Sequence, residues 1–259
     1  MFRLGTFNIK NSGPLYEDPL DSWENRKESI KKIIQRQNWD VFGLQEVKED
    51  QLKELKELDK YSFVGEIRDD SDEGEYNPVF YREDKFFCLD NGTFWLSDTP
   101  EKRSHAYSWN AACPRIATWA VLREKNSDKE ILFIATHLDF ASEFAREKGA
   151  ALIANFLKER KEKNAAIVGD LNGEPREAFY KQFSQTLKDT LINSPYHIGP
   201  FVTCTGTNKF CNDINWSTMS RIDYIWINPA MRLLRTEIVT DCINGRYPSD
   251  HFPVTAWIE

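Results

Sequence analysis

The sequence predicts an α/β fold in which two β-sheets pack face to face with helices outside. Three observations carry this. About eleven short, β-rich apolar runs are more than one open sheet comfortably holds. Amphipathic helical patterns lie between some of these runs. The order is mixed: strand and helix alternate at first, several strands follow without helices, and the alternation then resumes.

The runs read as strands are Leu4–Ile9, Val41–Leu44, Ser62–Val64, Val79–Tyr81, Phe86–Leu96, Ile116–Leu122, Ile131–Thr136, Ala165–Val168, Ile222–Ile227, Glu237–Cys242 and Val254–Ile258. After the first, Asp21 and Glu24 match a capping box, and Ile30, Ile33 and Ile34 mark one helical face. After the second, Leu52, Leu55 and Leu58 mark a helix that is heavily charged outside. Ala141–Arg160 carries Phe144, Ala151, Leu152, Phe156 and Leu157 and reads as a long amphipathic helix. Pro175 is placed to open a fourth helix containing Ala178, Phe179 and Phe183. The acidic stretch Asp69–Glu75 reads as a solvated loop. With no linker, low-complexity segment or short repeat, one domain over residues 1–259 is the simpler organisation.

Composition narrows the function. The 259 residues are 41% hydrophobic and 13% aromatic, enough for a sizeable core, and 29% charged. No apolar run approaches the roughly 20 residues of a membrane span. The start lacks a basic region followed by a long apolar stretch, so the expected location is cytoplasmic, although a leader already removed would leave the same start. Five scattered cysteines with no C-x-x-C pair argue against a zinc or redox motif. Reduced thiols are the default, with Cys204 and Cys211 the pair that would form a single bridge. The net charge of −7 counts against a protein that grips long duplex DNA through many phosphate contacts, but not against small phosphorylated substrates.

Polar residues recur where apolar runs end. Asn8 follows Leu-Gly-Thr-Phe, and Gln45-Glu46 follows Val-Phe-Gly-Leu. His137 and Asp139 follow Ile-Leu-Phe-Ile-Ala-Thr, and Asp170 and Asn172 follow Ala-Ala-Ile-Val-Gly. Asp223 lies inside Arg-Ile-Asp-Tyr-Ile-Trp-Ile, and Asp250-His251 precedes the last strand. Most have ordinary explanations as caps, turns or satisfied core groups. Asp223 resists one best, because a carboxylate in a buried run is costly unless paired, and His251 is its natural partner. If the strand ends share one rim, they supply Glu46 and Asp250 for a hard divalent cation, an Asp–His pair for proton transfer, and Asn and His donors for developing charge. That is the equipment of metal-assisted phosphoester hydrolysis.

Taken in order, TFNIK, LQEVK, THLD, GDLN, RIDYIW and SDH resemble the endonuclease/exonuclease/phosphatase superfamily, the DNase I-like group, from residue 6 to residue 251. The resemblance implies a four-layered α/β sandwich with two pseudo-symmetric halves. It implies Mg²⁺ or Mn²⁺ as cofactor, with Glu46 the principal ligand and Asp250 and Asn8 nearby. Asp170 and Asn172 would orient the attacking water and the scissile phosphate, Asp223 would hold His251 in the useful tautomer, and His251 would act on the nucleophile or the phosphate. His137 would donate to a phosphate oxygen. Its place, where AP endonucleases carry a YxPN-like segment, puts the chain on the DNase I, sphingomyelinase and deadenylase side. The stretch from Phe94 to Ala120 looks most like a bacterial-type branch with nocturnin-like features, in which Arg115 would point at the phosphate. The implied substrate is a small or single-stranded phosphate ester acted on by a monomer, with nucleic acid as the alternative. Trp95 reads as core. Trp109 and Trp216, in polar loops, either border the cleft or fill the core.

Overall fold

The computed structural model describes residues 1–259 except 14–17, 70, 72–73, 104–107, 128, 161 and 207–208. The chain runs β1 (Phe2–Asn8), α1 (Trp23–Gln37), β2 (Val41–Gln45), α2 (Glu49–Leu55), β3 (Tyr61–Val64), β4 (Val79–Arg82), β5 (Phe86–Trp95), β6 (Ile116–Glu124) and β7 (Glu130–His137). It continues with α3 (Glu143–Glu159), β8 (Ala165–Asp170), α4 (Ala178–Ser184), β9 (Lys188–Asp189), α5 (Thr190–Asn193), β10 (His197–Ile198), β11 (Asp223–Ile227), β12 (Leu233–Ile238) and β13 (Val254–Ile258).

The strands form a seven-stranded sheet, β10-β12-β13-β1-β2-β4-β3, and a six-stranded sheet, β5-β6-β7-β8-β11-β9. One apolar cluster lies between them, with Leu4, Val41 and Val254 of the first sheet against Phe133, Ala166, Val168 and Ile225 of the second. A second cluster packs Ile134, Ile167 and Trp226 against Ala150 and Ile153 of α3 and Phe179 and Phe183 of α4. A third packs Phe7, Phe42 and Leu44 against Ile30, Ile33 and Ile34 of α1 and Leu52 and Leu55 of α2. The layers are therefore helices, sheet, sheet, helices, as the strand count and the family resemblance require.

Each sheet has a parallel pair of strands at its heart, β1 beside β2 and β7 beside β8, and the seven-stranded sheet has a second, short one at its edge, β10 beside β12. Parallel strands end on the same edge, so Asn8 and Glu46 emerge together, as do His137 and Asp170. Antiparallel β11 begins at that edge, with Asp223 opposite Asp170. Antiparallel β13 also begins there, three residues after His251. The sheets approach closely at Gly43, where an added Cβ would lie 2.7 Å from that of Ala135 and 2.8 Å from Val168 Cγ2. This close approach brings the two sets of strand ends together on one rim.

Several expectations are corrected. The eleven predicted strands are joined by the two-residue β9 and β10, too short to leave a pattern. The strand expected at Glu237–Cys242 lies at Leu233–Ile238. There the chain leaves the sheet because Val239 N–H donates to Pro253, which has no N–H to return, and Cys242 is bonded to Cys211. That disulfide replaces the Cys204–Cys211 bridge; Cys204 is a free thiol. Ser22, not Asp21, is the N-cap of α1, and Asp21 instead ends a short 3-10 turn. Pro175 precedes α4 by three residues. The buried face of α3 consists of Ala145, Arg146, Gly149, Ala150, Ile153 and Ala154, whereas Phe144 is exposed. Asp69 and Glu75 are buried, so the acidic stretch is anchored at both ends; Asp70, Asp72 and Glu73 lie outside the described residues.

Candidate active site

Asn8 ties the two halves together at the rim. Its Nδ2 donates to Glu46 Oε1 at 2.9 Å and to Asp170 Oδ2 at 3.0 Å, so one amide spans a carboxylate from each sheet. Glu46 has a positive φ of 62°, which turns it out of β2 towards this position. Its other oxygen accepts from Asn11 N at 3.1 Å and Asn11 Nδ2 at 3.2 Å. The Asn11 amide also reaches Glu75 Oε1 at 3.2 Å, and Glu75 Oε2 accepts from Arg68 Nη1 at 2.6 Å. Glu75 and Arg68 therefore belong to the site. The acidic run that contains Glu75 masked it in the sequence, since such runs usually face solvent.

On the other half, Asp170 Oδ1 accepts from the Asn172 backbone at 2.9 Å, a local turn that places the two side chains. Asn172 Nδ2 donates to His137 Nε2 at 2.9 Å and to Leu138 O at 3.1 Å. With Nε2 accepting, a neutral His137 carries its proton on Nδ1, an atom buried without a partner. Asp223 Oδ2 pairs with His251 Nδ1 at 2.8 Å, and His251 Nε2 lies 3.7 Å from Asp170 Oδ2.

These groups pull their protons in opposite directions. Burial, reinforced by Arg115 and Arg68, holds His137 well below the usual histidine range, so it is neutral. Burial alone would also lower His251, but the facing carboxylates, Asp223 foremost, carry it well above that range. Burial pushes Asp170 up to about 7, with Asp223 adding to the rise and His251 opposing it. Glu75 is raised by burial, with the Glu46 charge adding to it against the opposing Arg68.

The cleft has a volume of about 260 Å³. Its wall combines Glu46, Asp170, His137, Asn172 and His251 with Asn11, Arg68, Glu75, Cys113, Arg115 and Phe140. Arg115 is buried, and its Nε has no hydrogen-bond partner; the Asp139 carboxylate is 3.8 Å away. Two sets of atoms lie within 4.8 Å of one another and could hold a metal ion: Glu46, His137 and Asp170, and Asp170, Asp223 and His251. The first suits an oxygen-preferring divalent cation, because half-buried Glu46 stands beside a buried carboxylate, Glu75, whose demand for a counter-charge Arg68 and Arg115 meet only in part. Asp250 lies outside both sets. Its carboxylate is partly exposed, 3.7 Å from Lys10 Nζ, in a neighbouring pocket that also contains Asp21 and Lys209. Trp95 is buried, Trp216 is exposed and does not line the cleft, and half-buried Trp109 donates to Asp98. His105 lies outside the described residues.

The model of the endonuclease/exonuclease/phosphatase family matches residues 5–251. The chain belongs to that family. As a member of it, the chain is 32% identical to the solved mannosyl-6-phosphatase of Bacteroides thetaiotaomicron VPI-5482, with all of both chains covered and a TM-score of 0.91. It is likewise 32% identical to an endonuclease/exonuclease/phosphatase of Bacteroides vulgatus, covering 100% of this chain and 98% of the other, at a TM-score of 0.91. The human nocturnin catalytic domain, 19% identical at a TM-score of 0.75 over 100% of this chain and 94% of that one, shares the fold. Among curated proteins, the 3'-5'-exoribonuclease subunit Ccr4 of Candida glabrata is 24% identical over 90% of this chain. The match spans about a third (33%) of that relative's length. Family membership makes the chain a phosphoester hydrolase of the phosphatase and nuclease group, and no helix among the described residues is long and apolar enough to cross a membrane.

Proposed function

We propose that this chain is a Mg²⁺- or Mn²⁺-dependent phosphatase that removes the phosphoryl group from a small phosphomonoester, a sugar phosphate in the first instance. One observation carries the reading. His137 and Arg115, each with a buried donor that has no hydrogen-bond partner (Nδ1 and Nε), line the same cleft as a cluster of carboxylates. A buried donor without an acceptor is costly, and so is a buried carboxylate without a counter-charge. A phosphate ester bound together with a cation satisfies both. Membership in the family and the 32% identity to a mannosyl-6-phosphatase over the whole chain support the choice of substrate.

Glu46, with Asn8 and Asp170 beside it, would hold the cation, and Asp250 would contribute from the neighbouring pocket. Bound there, a divalent ion supplies Lewis-acid stabilisation of charge on the phosphoryl oxygens. His137 Nδ1–H and Arg115 donate to the non-bridging oxygens, and Asn172 fixes the His137 tautomer. Asp170, in the ionised form that gains population as pH rises through about 7, takes a proton from the attacking water as its oxygen bonds to phosphorus and the bond to the leaving oxygen breaks. Asp223 holds His251 as the imidazolium, whose Nε2–H faces the developing charge. The test is kcat/KM with Mg²⁺ and Mn²⁺ across hexose phosphates, nucleoside monophosphates, a bis-aryl phosphodiester and oligonucleotides. The monoesters, hexose phosphates first, should be fastest.

A second reading, cleavage of single-stranded nucleic acid, draws on the likeness to Ccr4. The net charge of −7 and the buried Glu75 in the cleft wall weigh against it. A higher kcat/KM on a single-stranded oligonucleotide than on any monoester would install it instead.

A further inference from the structure

Phe140 is 63% exposed, the most exposed aromatic side chain among the described residues with large apolar surface in solvent, and of these it alone lines the cleft. Scattered exposed aromatics need no explanation. This one differs in how firmly it is held. The carboxylate of its neighbour Asp139 accepts from the backbone of Ala112 at 2.8 Å, Ala141 at 3.0 Å and Ser142 at 2.8 Å. Arg146 Nη1 donates to Asp139 O at 2.9 Å and Phe140 O at 3.4 Å, and Arg146 is itself paired with Glu177 at 2.7 Å. The backbone on both sides of the ring is pinned, and the ring stands out at the mouth of the cleft. The Arg115 guanidinium carbon lies 5.9 Å from its centroid. A phosphoryl group on Arg115 therefore has its ester oxygen, and whatever that oxygen carries, next to the ring.

We infer that Phe140 is the specificity-determining residue of the site and packs against the apolar C–H face of a pyranose leaving group. This deepens the phosphomonoesterase reading and rests on it. The rest of the cleft favours a sugar over a nucleobase. Apart from Phe140 and Cys113, its wall is Asn11, Glu46, Arg68, Glu75, Arg115, His137, Asp170, Asn172 and His251, all polar. A pyranose has one apolar face and a rim of hydroxyls, which matches one aromatic ring in a polar cleft. A base has two flat faces, and the described lining offers no second Phe, Tyr or Trp ring to cover the other; its two imidazoles, His137 and His251, are engaged with Asn172 and Asp223.

The experiment compares wild type, Phe140→Ala and Phe140→Trp on a hexose 6-phosphate, on glycerol 3-phosphate, which has no ring, and on a nucleoside 5'-monophosphate, all with Mn²⁺. Phe140→Ala should lower kcat/KM for the hexose phosphate by about tenfold to a hundredfold, mainly through KM. Glycerol 3-phosphate should change by less than about threefold, and Phe140→Trp should restore the hexose phosphate. Equal loss on the hexose and glycerol esters, or no loss on either, overturns the inference while leaving an active phosphatase. A loss confined to the nucleoside monophosphate overturns the pyranose assignment. A wild type that hydrolyses none of the three overturns the phosphomonoesterase reading and this inference with it.

Discussion

Asp170 and His251 face each other at 3.7 Å, one holding its proton unusually high for a carboxyl and the other holding its proton unusually tightly for a histidine. Folded Asp170 stays protonated up to about pH 7, whereas an unfolded carboxyl ionises near its ordinary 3.8. Between those values the folded state binds more protons, so this group's contribution to stability falls as pH rises. The raised His251 adds in the same sense above its ordinary 6.5, and the lowered His137 opposes it below 6.5. Asp170→Asn removes the first contribution and, because the Asp170 charge helps to raise His251, weakens the second in the same sense. In chelator, D170N should therefore gain thermal stability relative to the parent as pH goes from about 4 to about 7; a constant difference in Tm across that range contradicts the assignment. The Asp223–His251 pair is expected to work as a unit. Asp223→Asn and His251→Ala should each lower kcat by about 10²–10⁴, and the double variant by little more. Losses that add as free energies would show two independent groups. Asp223 was legible in the sequence because a carboxylate inside an apolar strand demands a partner. Phe140 was not, because its role depends on exposure, which a sequence does not display.

At the scale of the elements, the site depends on how two strand pairs are allowed to approach. Gly169, directly before Asp170, has φ +148°, and an added Cβ would lie 1.9 Å from Thr136 O on the neighbouring strand. Gly169→Ala should cost at least the roughly 1–3 kcal/mol of a strained backbone, with the clash in addition. Urea unfolding measures this, and an unchanged midpoint would mean that the strands shift freely. The Cys211–Cys242 disulfide closes a loop of sequence separation 31 between the segments before β11 and after β12. Its removal by Cys242→Ser should cost about 2–4 kcal/mol, and alkylation of the unfolded, unreduced protein should label three cysteines of the five. Labelling of all five contradicts the bridge. The main strands and helices were legible from their periodicity. The misplaced strand β12 and the missed bridge share one cause: Ile238 through Cys242 look β-rich locally, but Pro253 and Cys211, far off in sequence, decide where the sheet ends.

Across the whole molecule, the polar ends of core strands converge because each sheet carries its parallel pair at the centre and both pairs end on the same rim. The order of six short motifs foreshadowed this, since each motif marks a strand end. The second wall of the cleft, Arg68, Glu75 and Phe140, was hidden because loops follow tertiary placement and carry no period. A net charge of −7 implies that long duplex DNA gains little from counterion release here, so plasmid should be cleaved far more slowly than a hexose phosphate, with little salt dependence of the latter. The central claim is that a cation held at Glu46 is required for phosphomonoester hydrolysis. It is tested most directly by stripping the protein with EDTA and measuring the rate on a hexose phosphate as Mn²⁺ or Mg²⁺ is restored, for wild type and Glu46→Gln. The account predicts no turnover in chelator, saturable activation on adding the ion, and a shift of that activation to much higher metal concentration in E46Q. Full activity in excess EDTA, or an E46Q curve that overlays the wild type, would contradict it.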